Sequence, residues 1–408
     1  MKKTLLRNYA RLIARTGARI QKGQEVLLFA QLDQPEFIEI LVDECYKAGA
    51  SRVDVEWSWQ PLKVLDTRYR TLKSLSKIED WEFARLEHRT VTLPVRIYIL
   101  SEDPDGLARI NKEKHAKAVR AVSTAVKPYR DRADNRYQWC IAAVPGKSWA
   151  KKVFPGMRTS QAVEKLWEAI LSASRALNDD PSKAWEEHNA ELKKLCAYIN
   201  SLGLTELHYT AGNGTDLRVG LMPQAEFLGG GESTLSGAFF NPNIPSEEIF
   251  ITPKKGEAEG VIYSSKPFSY RGQLINSFML RFEKGRVCEI RSDDAQEVLE
   301  KMISLDDGAS MLGECALVPY DSPISNSGIL FYNTLFDENA ACHLALGEGF
   351  TNCVKDYDKY TLEELREMGV NDSIIHEDIM IGTPDLSIDG ITASGETVPI
   401  FRDGNFVI

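Results

Sequence analysis

Four short stretches in the second half of the chain set imidazoles and carboxylates among small, apolar neighbours. In "ENAACHLALGEGF", residues 338–350, His343 has Glu338 five residues before it and Glu348 five residues after, and Phe350 closes the run. In "IIHEDIMIG" the triplet His376-Glu377-Asp378 opens a segment patterned as a strand. Residues two apart on a strand share a face, so His376 and Asp378 point one way and Glu377 the other. An imidazole and a carboxylate on one face of an apolar strand are suited to zinc, cobalt or manganese. "NIPSEEIFITP" sets Glu247 and Glu248 side by side before an apolar strand, so one must face inward. "GECALVP" places Glu314 among small residues at another strand start. A buried carboxylate without a partner is costly, and a divalent cation removes that cost. His376-Glu377 is not the HExxH metalloprotease motif, because no histidine follows at the required offset.

The elements that must position these groups are legible in part. "KGQEVLLFAQL" gives an apolar strand from Val26 to Leu32, after which Asp33 can cap a helix through Phe37, Ile40, Leu41 and Cys45. That helix stops at "AGA", and "RVDVEWSW" follows as a second strand, completing a βαβ unit with parallel pairing. "VRIYILSE" (95–102) and "YQWCIAAVP" (137–145) read as further strands of the same sheet. Residues 160–200 are helical in pattern, the last helix ending at Gly203. Beyond it come short β-rich runs separated by Gly, Asn, Pro and Asp, interrupted by a helix over 294–304 and by 338–350, whose apolar run is expected to pack as a helix. The expected fold is an α/β N-terminal domain with a parallel sheet (1–200), followed by a β-rich α+β metal-binding catalytic domain (201–408). The glycine runs "GNGTD" and "LGGGES" lack the GxGxxG or GxxxxGK[ST] spacing of phosphate loops and read as turns.

Bulk properties narrow the class. A chain of 408 residues with 43% apolar and 26% charged residues can build two sizeable cores. A net charge of -10 argues against a nucleic-acid or anionic-membrane partner. Seven scattered cysteines without a CxxC pair fit free thiols in a reducing compartment. The N-terminal "MKKTLLRNYARLIARTG" reads as an amphipathic helix, since Arg7, Arg11 and Arg15 interrupt any secretion-signal core. No apolar run approaches the ~20 residues that span a bilayer. A cytoplasmic protein is expected.

Taken in order, the four site stretches together with "GNGTDLRVGL", "GGGES", "KGQEVLLFAQ" and "CYKAGASRVDVEW" resemble the M29 family of metallo-aminopeptidases, over nearly the whole chain. The resemblance implies two divalent metal ions per chain (zinc, cobalt or manganese) and release of single amino acids from peptides with a free N-terminus. It also implies a homodimer and an N-terminal domain that helps to enclose a cavity. The implied metal ligands are Glu248, Glu314, Glu338, His343, His376 and Asp378. Glu314 would bridge both ions, Glu248, His376 and Asp378 would complete one site, and Glu338 with His343 the other. Two such ions can polarise a scissile carbonyl and activate water. A nearby carboxylate must then carry the proton to the leaving amine, and Glu338 is the candidate. Glu348 has no role in the resemblance. Phe350 departs from it: the family carries a tyrosine there whose hydroxyl sits at the metal centre, and phenylalanine has no oxygen to offer. Two further functions remain open: a metal-binding family member with reduced or lost peptidase activity, or a two-metal hydrolase of another amide.

Overall fold

A computed structural model describes residues 1–270 and 273–408. Residue contacts divide it into two units, the first built mainly from Met1–His188 with Gly231–Ser246, the second from Asn189–Gly230, Glu247–Tyr270 and Leu274–Ile408. The helix Pro181–Ser201 passes from one to the other. No helix among the described residues is long and apolar enough to cross a membrane.

In the first unit four strands pair in parallel, in the order Arg52–Ser58, Glu25–Gln31, Val95–Leu100, Trp139–Ala143. Glu25–Gln31 is apolar almost throughout, as expected of an inner strand covered on both faces by crossover helices, whereas the edge strand Arg52–Ser58 is largely open to solvent. The helix Pro35–Ala48 starts at a proline that presets its first turn and ends at Gly49, whose φ of 119° no L side chain adopts readily. Asp33 does not cap it, contrary to expectation. Gln34 occupies the cap position, and the Asp33 carboxylate accepts the Ser101 hydroxyl at 2.9 Å instead. Gly231–Ser246 returns to protect the outer edge of Trp139–Ala143: Ile141 N–H donates to Pro242 O (2.7 Å) and Ile244 N–H donates to Ile141 O (2.9 Å). No composition shift announces this return.

Two large antiparallel sheets lie in the second unit. One has eight strands, in the order Arg286–Ser292, Phe278–Glu283, Pro253–Tyr263, Asp216–Leu221, Leu204–Thr210, Ser387–Thr392, Thr397–Arg402, Asn405–Phe406. The other has five, in the order His376–Met380, His343–Gly347, Leu312–Leu317, Ile249–Ile251, Leu228–Gly229. One core joins them, with Leu207, Tyr209, Leu217 and Val219 from the large sheet against Cys315, Leu344, Leu346 and Ile379 from the small one. Alternation along each strand then sends Glu314, His343, His376 and Asp378 to the opposite face of the small sheet.

The helix expected in 338–350 is absent. Glu338–Ala340 is one 3-10 turn, Ala341 is extended, and His343–Gly347 is a strand. Every residue of that strand is buried, so its apolar run carries no period by which a helix and a strand could be told apart. Gly347 settles the local geometry: its φ is 112°, and a Cβ would lie 2.0 Å from Ile375 O.

Candidate metal centre

Cross-strand register builds the centre. Glu314 pairs with Ala345 and Ala345 with Asp378, so two carboxylates flank the smallest chiral side chain in one row. His343 lies in the next row, paired with Ala316 and Met380, and His376 pairs with Gly347 on the other side. Ile249 pairs with Leu317, which brings Glu248 to the His343 end of the sheet. His343 Nε2 is 3.3 Å from Glu248 Oε2, while His376 Nε2 is 3.0 Å from Glu314 Oε2 and 3.4 Å from Asp378 Oδ1.

Two triads result, Glu248/Glu314/His343 and Glu314/His376/Asp378, each with potential ligand atoms within 4.8 Å of one another. Glu314 is common to both. The grouping differs from the expected one, because Glu248 sits with His343 rather than with His376 and Asp378. The register is the reason: Ile249 and His376 lie toward opposite ends of the sheet. Glu338 falls in neither triad. It is buried on the 3-10 turn, shares a hydrogen bond with Asp378, and has one oxygen 3.3 Å from the Asn339 amide nitrogen.

Glu314 is 4% exposed and His343 1%. Among the described residues, no lysine or arginine lies within ion-pair distance of Glu314, Glu338 or Asp378. Burial, then the charges of Asp378, Glu248 and Glu314, push the Glu338 carboxyl well above its ordinary range. Burial works against charge on both imidazoles. Asp378 and Glu314 outweigh it at His376, which stands well above its usual value, and Glu248, Asp378 and Glu314 outweigh it at His343. Burial likewise opposes charge on Asp378, but His376 outweighs it and holds that carboxyl low.

The ring orientations are fixed from behind. His376 Nδ1 is 2.8 Å from Glu348 O, and His343 Nδ1 is 3.1 Å from Glu338 O and 3.2 Å from Ala341 O. Carbonyls only accept, so each Nδ1 carries the hydrogen and each Nε2 points its lone pair at carboxylates. A proton or a cation must lie between them. The buried surplus of carboxylate, together with two aligned imidazole nitrogens, fits a divalent cation.

Sequence reasoning missed the residues that hold this set in place. Asn339 is fully buried: its oxygen accepts Glu247 N–H (2.7 Å), and its amide donates to Leu335 O (2.9 Å) and to Glu338. A lone asparagine inside "ENAAC" was the available signal. Asp337 clamps the same turn by accepting Phe331 N–H and Asn333 N–H, both at 2.9 Å, and burial pushes its carboxyl up to about 6. Phe350 stacks obliquely on His376, with ring centroids 4.8 Å apart, and meets Phe250 edge-on at 5.2 Å.

Residues 2–406 match the model of a family described as thermophilic metalloprotease (M29). The chain belongs to the M29 family. Aminopeptidase AmpS of Bacillus subtilis is 38% identical over 402 residues, covering 98% of each chain. Aminopeptidase 2 of Geobacillus stearothermophilus is 37% identical over 98% of this chain and 97% of its own. The solved structure of wild-type AmpT from Thermus thermophilus superposes with a TM-score of 0.89, at 34% identity and full coverage of both chains. Membership in M29 makes this a metalloprotease and implies a divalent metal, and the two triads are where described residues could hold one.

Proposed function

We propose that this M29 chain is an aminopeptidase working with two divalent ions, zinc, cobalt or manganese, on peptides with a free N-terminus. The observation that carries the number is the position of Glu314, common to both triads. Glu248 and His343 would complete one ion's ligands, and His376 and Asp378 the other's. When bound, the ions supply Lewis-acid activation of the scissile carbonyl and of water. The chain's own groups do the rest. A substrate's free α-amine could coordinate one of the ions, which would favour removal of the first residue over internal cleavage. Glu338 holds and moves the proton: burial favours the protonated form of its carboxyl, Asn339 steadies one of its oxygens, and it stands outside both triads. The resemblance to the family supports a homodimer, and composition supports a cytoplasmic location.

The test is release of amino acid from free and N-acetylated dipeptides, before and after chelation, with zinc or cobalt restored. Cleavage of free N-termini alone, lost to chelator and regained with metal, is expected. Cleavage of the acetylated series instead would move the assignment to another amide.

One observation favours a second reading, a metal-binding relative with weak turnover. Phe350 presents an unsubstituted ring to His376 where the family resemblance implies a hydroxyl. If that hydroxyl stabilises developing charge, Phe350→Tyr should raise kcat about tenfold or more with little change in KM. An unchanged kcat would show that the ring only packs.

A further inference from the structure

A second candidate site lies wholly within the first unit. The order of its parallel strands reverses between Glu25–Gln31 and Val95–Leu100, because the first crossover leads to Arg52–Ser58 on one side and the next to Val95–Leu100 on the other. At such a point the chain ends diverge and leave a crevice beyond the carboxyl ends of the strands. A cavity of about 540 Å3 occupies this position, within the roughly 300–1,000 Å3 typical of small-molecule sites.

Its polar side is built. Gln31, 8% exposed, donates to one oxygen of Glu102 (2.6 Å), and Ser101 N–H donates to the other (3.0 Å). The Ser101 hydroxyl donates to Asp33 (2.9 Å). Gln60 donates to Asp103 O (2.9 Å) and accepts Asp103 N–H (3.0 Å), pinning the helix Gln60–Tyr69 to the loop after Leu100. Gly106 leaves room behind it: a Cβ there would lie 2.4 Å from the Gln60 amide carbon and displace that side chain. The hydrogen-bond donors named for these carboxylates are all neutral. No cation lies within ion-pair distance of Asp33, Glu102 or Asp103 among the described residues, and their oxygens keep lone pairs for a further donor. Lys147 lines the same cavity and has no carboxylate at ion-pair distance among the described residues.

The other side is apolar. Trp59, Val64 and Leu65 line the cavity, with Trp59 50% and Leu65 42% exposed. Three carboxylates to one lysine repel a phosphate, so the mononucleotide such a crevice often holds is the wrong charge. A cation attached to a hydrocarbon is the right one, and an indole face adds to its attraction.

We propose that this cavity binds the ammonium end of an apolar α-amino compound, either a free apolar amino acid or the first residue of a peptide. Asp33 and Glu102 receive the ammonium, and Trp59, Val64 and Leu65 receive the side chain. A free amino acid also carries a carboxylate, which Lys147 can take, whereas an amide or peptide offers none there. Peptide hydrolysis is not required, so the site would stand if the metal centre were inert.

Titration calorimetry of the full chain, stripped of metal, with L-leucine, L-leucinamide and N-acetyl-L-leucine tests this. L-leucine and L-leucinamide should bind and N-acetyl-L-leucine should not. Asp33→Asn, Glu102→Gln and Trp59→Ala should each weaken both ligands about tenfold or more. Lys147→Ala should weaken L-leucine alone if free amino acid is the occupant, and neither ligand if a peptide end is. Trp59 and Lys147 are both exposed, and circular dichroism checks that their variants fold. The proposal is overturned by the absence of binding, by equal binding of the acetylated compound, or by affinities that Asp33→Asn and Trp59→Ala leave unchanged.

Discussion

In the parallel sheet, strand interiors are apolar and the acids gather past the strand ends, at Asp33, Glu102 and Asp103, where water reaches them. In the five-stranded sheet, Glu314 and Asp378 stand mid-strand on either side of Ala345, nearly cut off from water. The difference follows from what covers each sheet. Helices on both faces leave the ends of the inner parallel strands open. The antiparallel sheet spends one face on the shared core and leaves the other for chemistry. Acids at strand ends cost the fold little without a ligand. Acids in mid-strand burden it until a cation arrives, since removing one partner of a buried ion pair costs about 3–5 kcal/mol.

The sharpest way to break this contrast is Glu314→Ala. It removes the one group common to both triads, so the rate on a free dipeptide should fall at least about a thousandfold. Bound metal, counted by elemental analysis, should fall with it. Retention of both would end the shared role of Glu314 and with it the two-ion reading. Next in size is Asn339→Leu, which keeps the branched outline but deletes the bonds to Glu247, Leu335 and Glu338. Groups that orient ligands typically change metal affinity or activity about 10–100-fold when lost. Chelator competition together with kcat would measure it, and Asn339→Asp, which keeps the acceptor for Glu247 N–H, should retain more of the metal affinity.

The same contrast explains what could be read from the sequence. All four parallel strands are visible, three as short apolar runs bounded by turns and Arg52–Ser58 as an alternating one, and βαβ connection fixes their pairing. Glu248, Glu314, His343, His376 and Asp378 stand out because each interrupts an apolar run. Periodicity fails where burial is complete: Leu312–Leu317 and His343–Gly347 are buried at every position, so 338–350 could pass for a helix. Pairing register is not written in local pattern either, and the register sets Glu248 beside His343 where the resemblance implied a place beside His376. Asp33 misled for a different reason. An acid before a helix resembles a cap, but Pro35 removes a donor from the first turn and Ser101 offers a better one from a neighbouring strand.

Acidity sharpens the comparison further. His343, His376 and Glu338 all hold protons above their ordinary values in the metal-free chain. A group whose folded value is raised contributes stability that is complete below its unfolded value, about 6.5 for histidine, and lost as pH climbs through the folded one. The stripped protein should therefore lose thermal stability on the alkaline side, as imidazolium protons leave and buried carboxylates lose their partners. A cation displaces those protons, so metal affinity should rise with pH, by about tenfold per unit for each proton displaced. Melting curves of stripped and loaded protein at several pH values should diverge as pH rises. Parallel curves would show that the imidazoles carry no proton in the metal-free centre.

The smallest effect is expected at Glu348, an acid as close in sequence to His343 as Glu338 is. Its backbone carbonyl holds His376 Nδ1 and its side chain accepts Ser373 N–H at 2.5 Å. Glu348→Gln keeps the carbonyl and leaves an amide oxygen as acceptor for Ser373, while removing a charge. If that charge has no part in the chemistry, kcat/KM and metal content should stay within a few-fold of the parent, since one neutral hydrogen bond replaces a charged one. A loss beyond about a hundredfold, the scale of a lost catalytic group, would place the Glu348 carboxylate in the centre itself and widen the buried cluster along its strand.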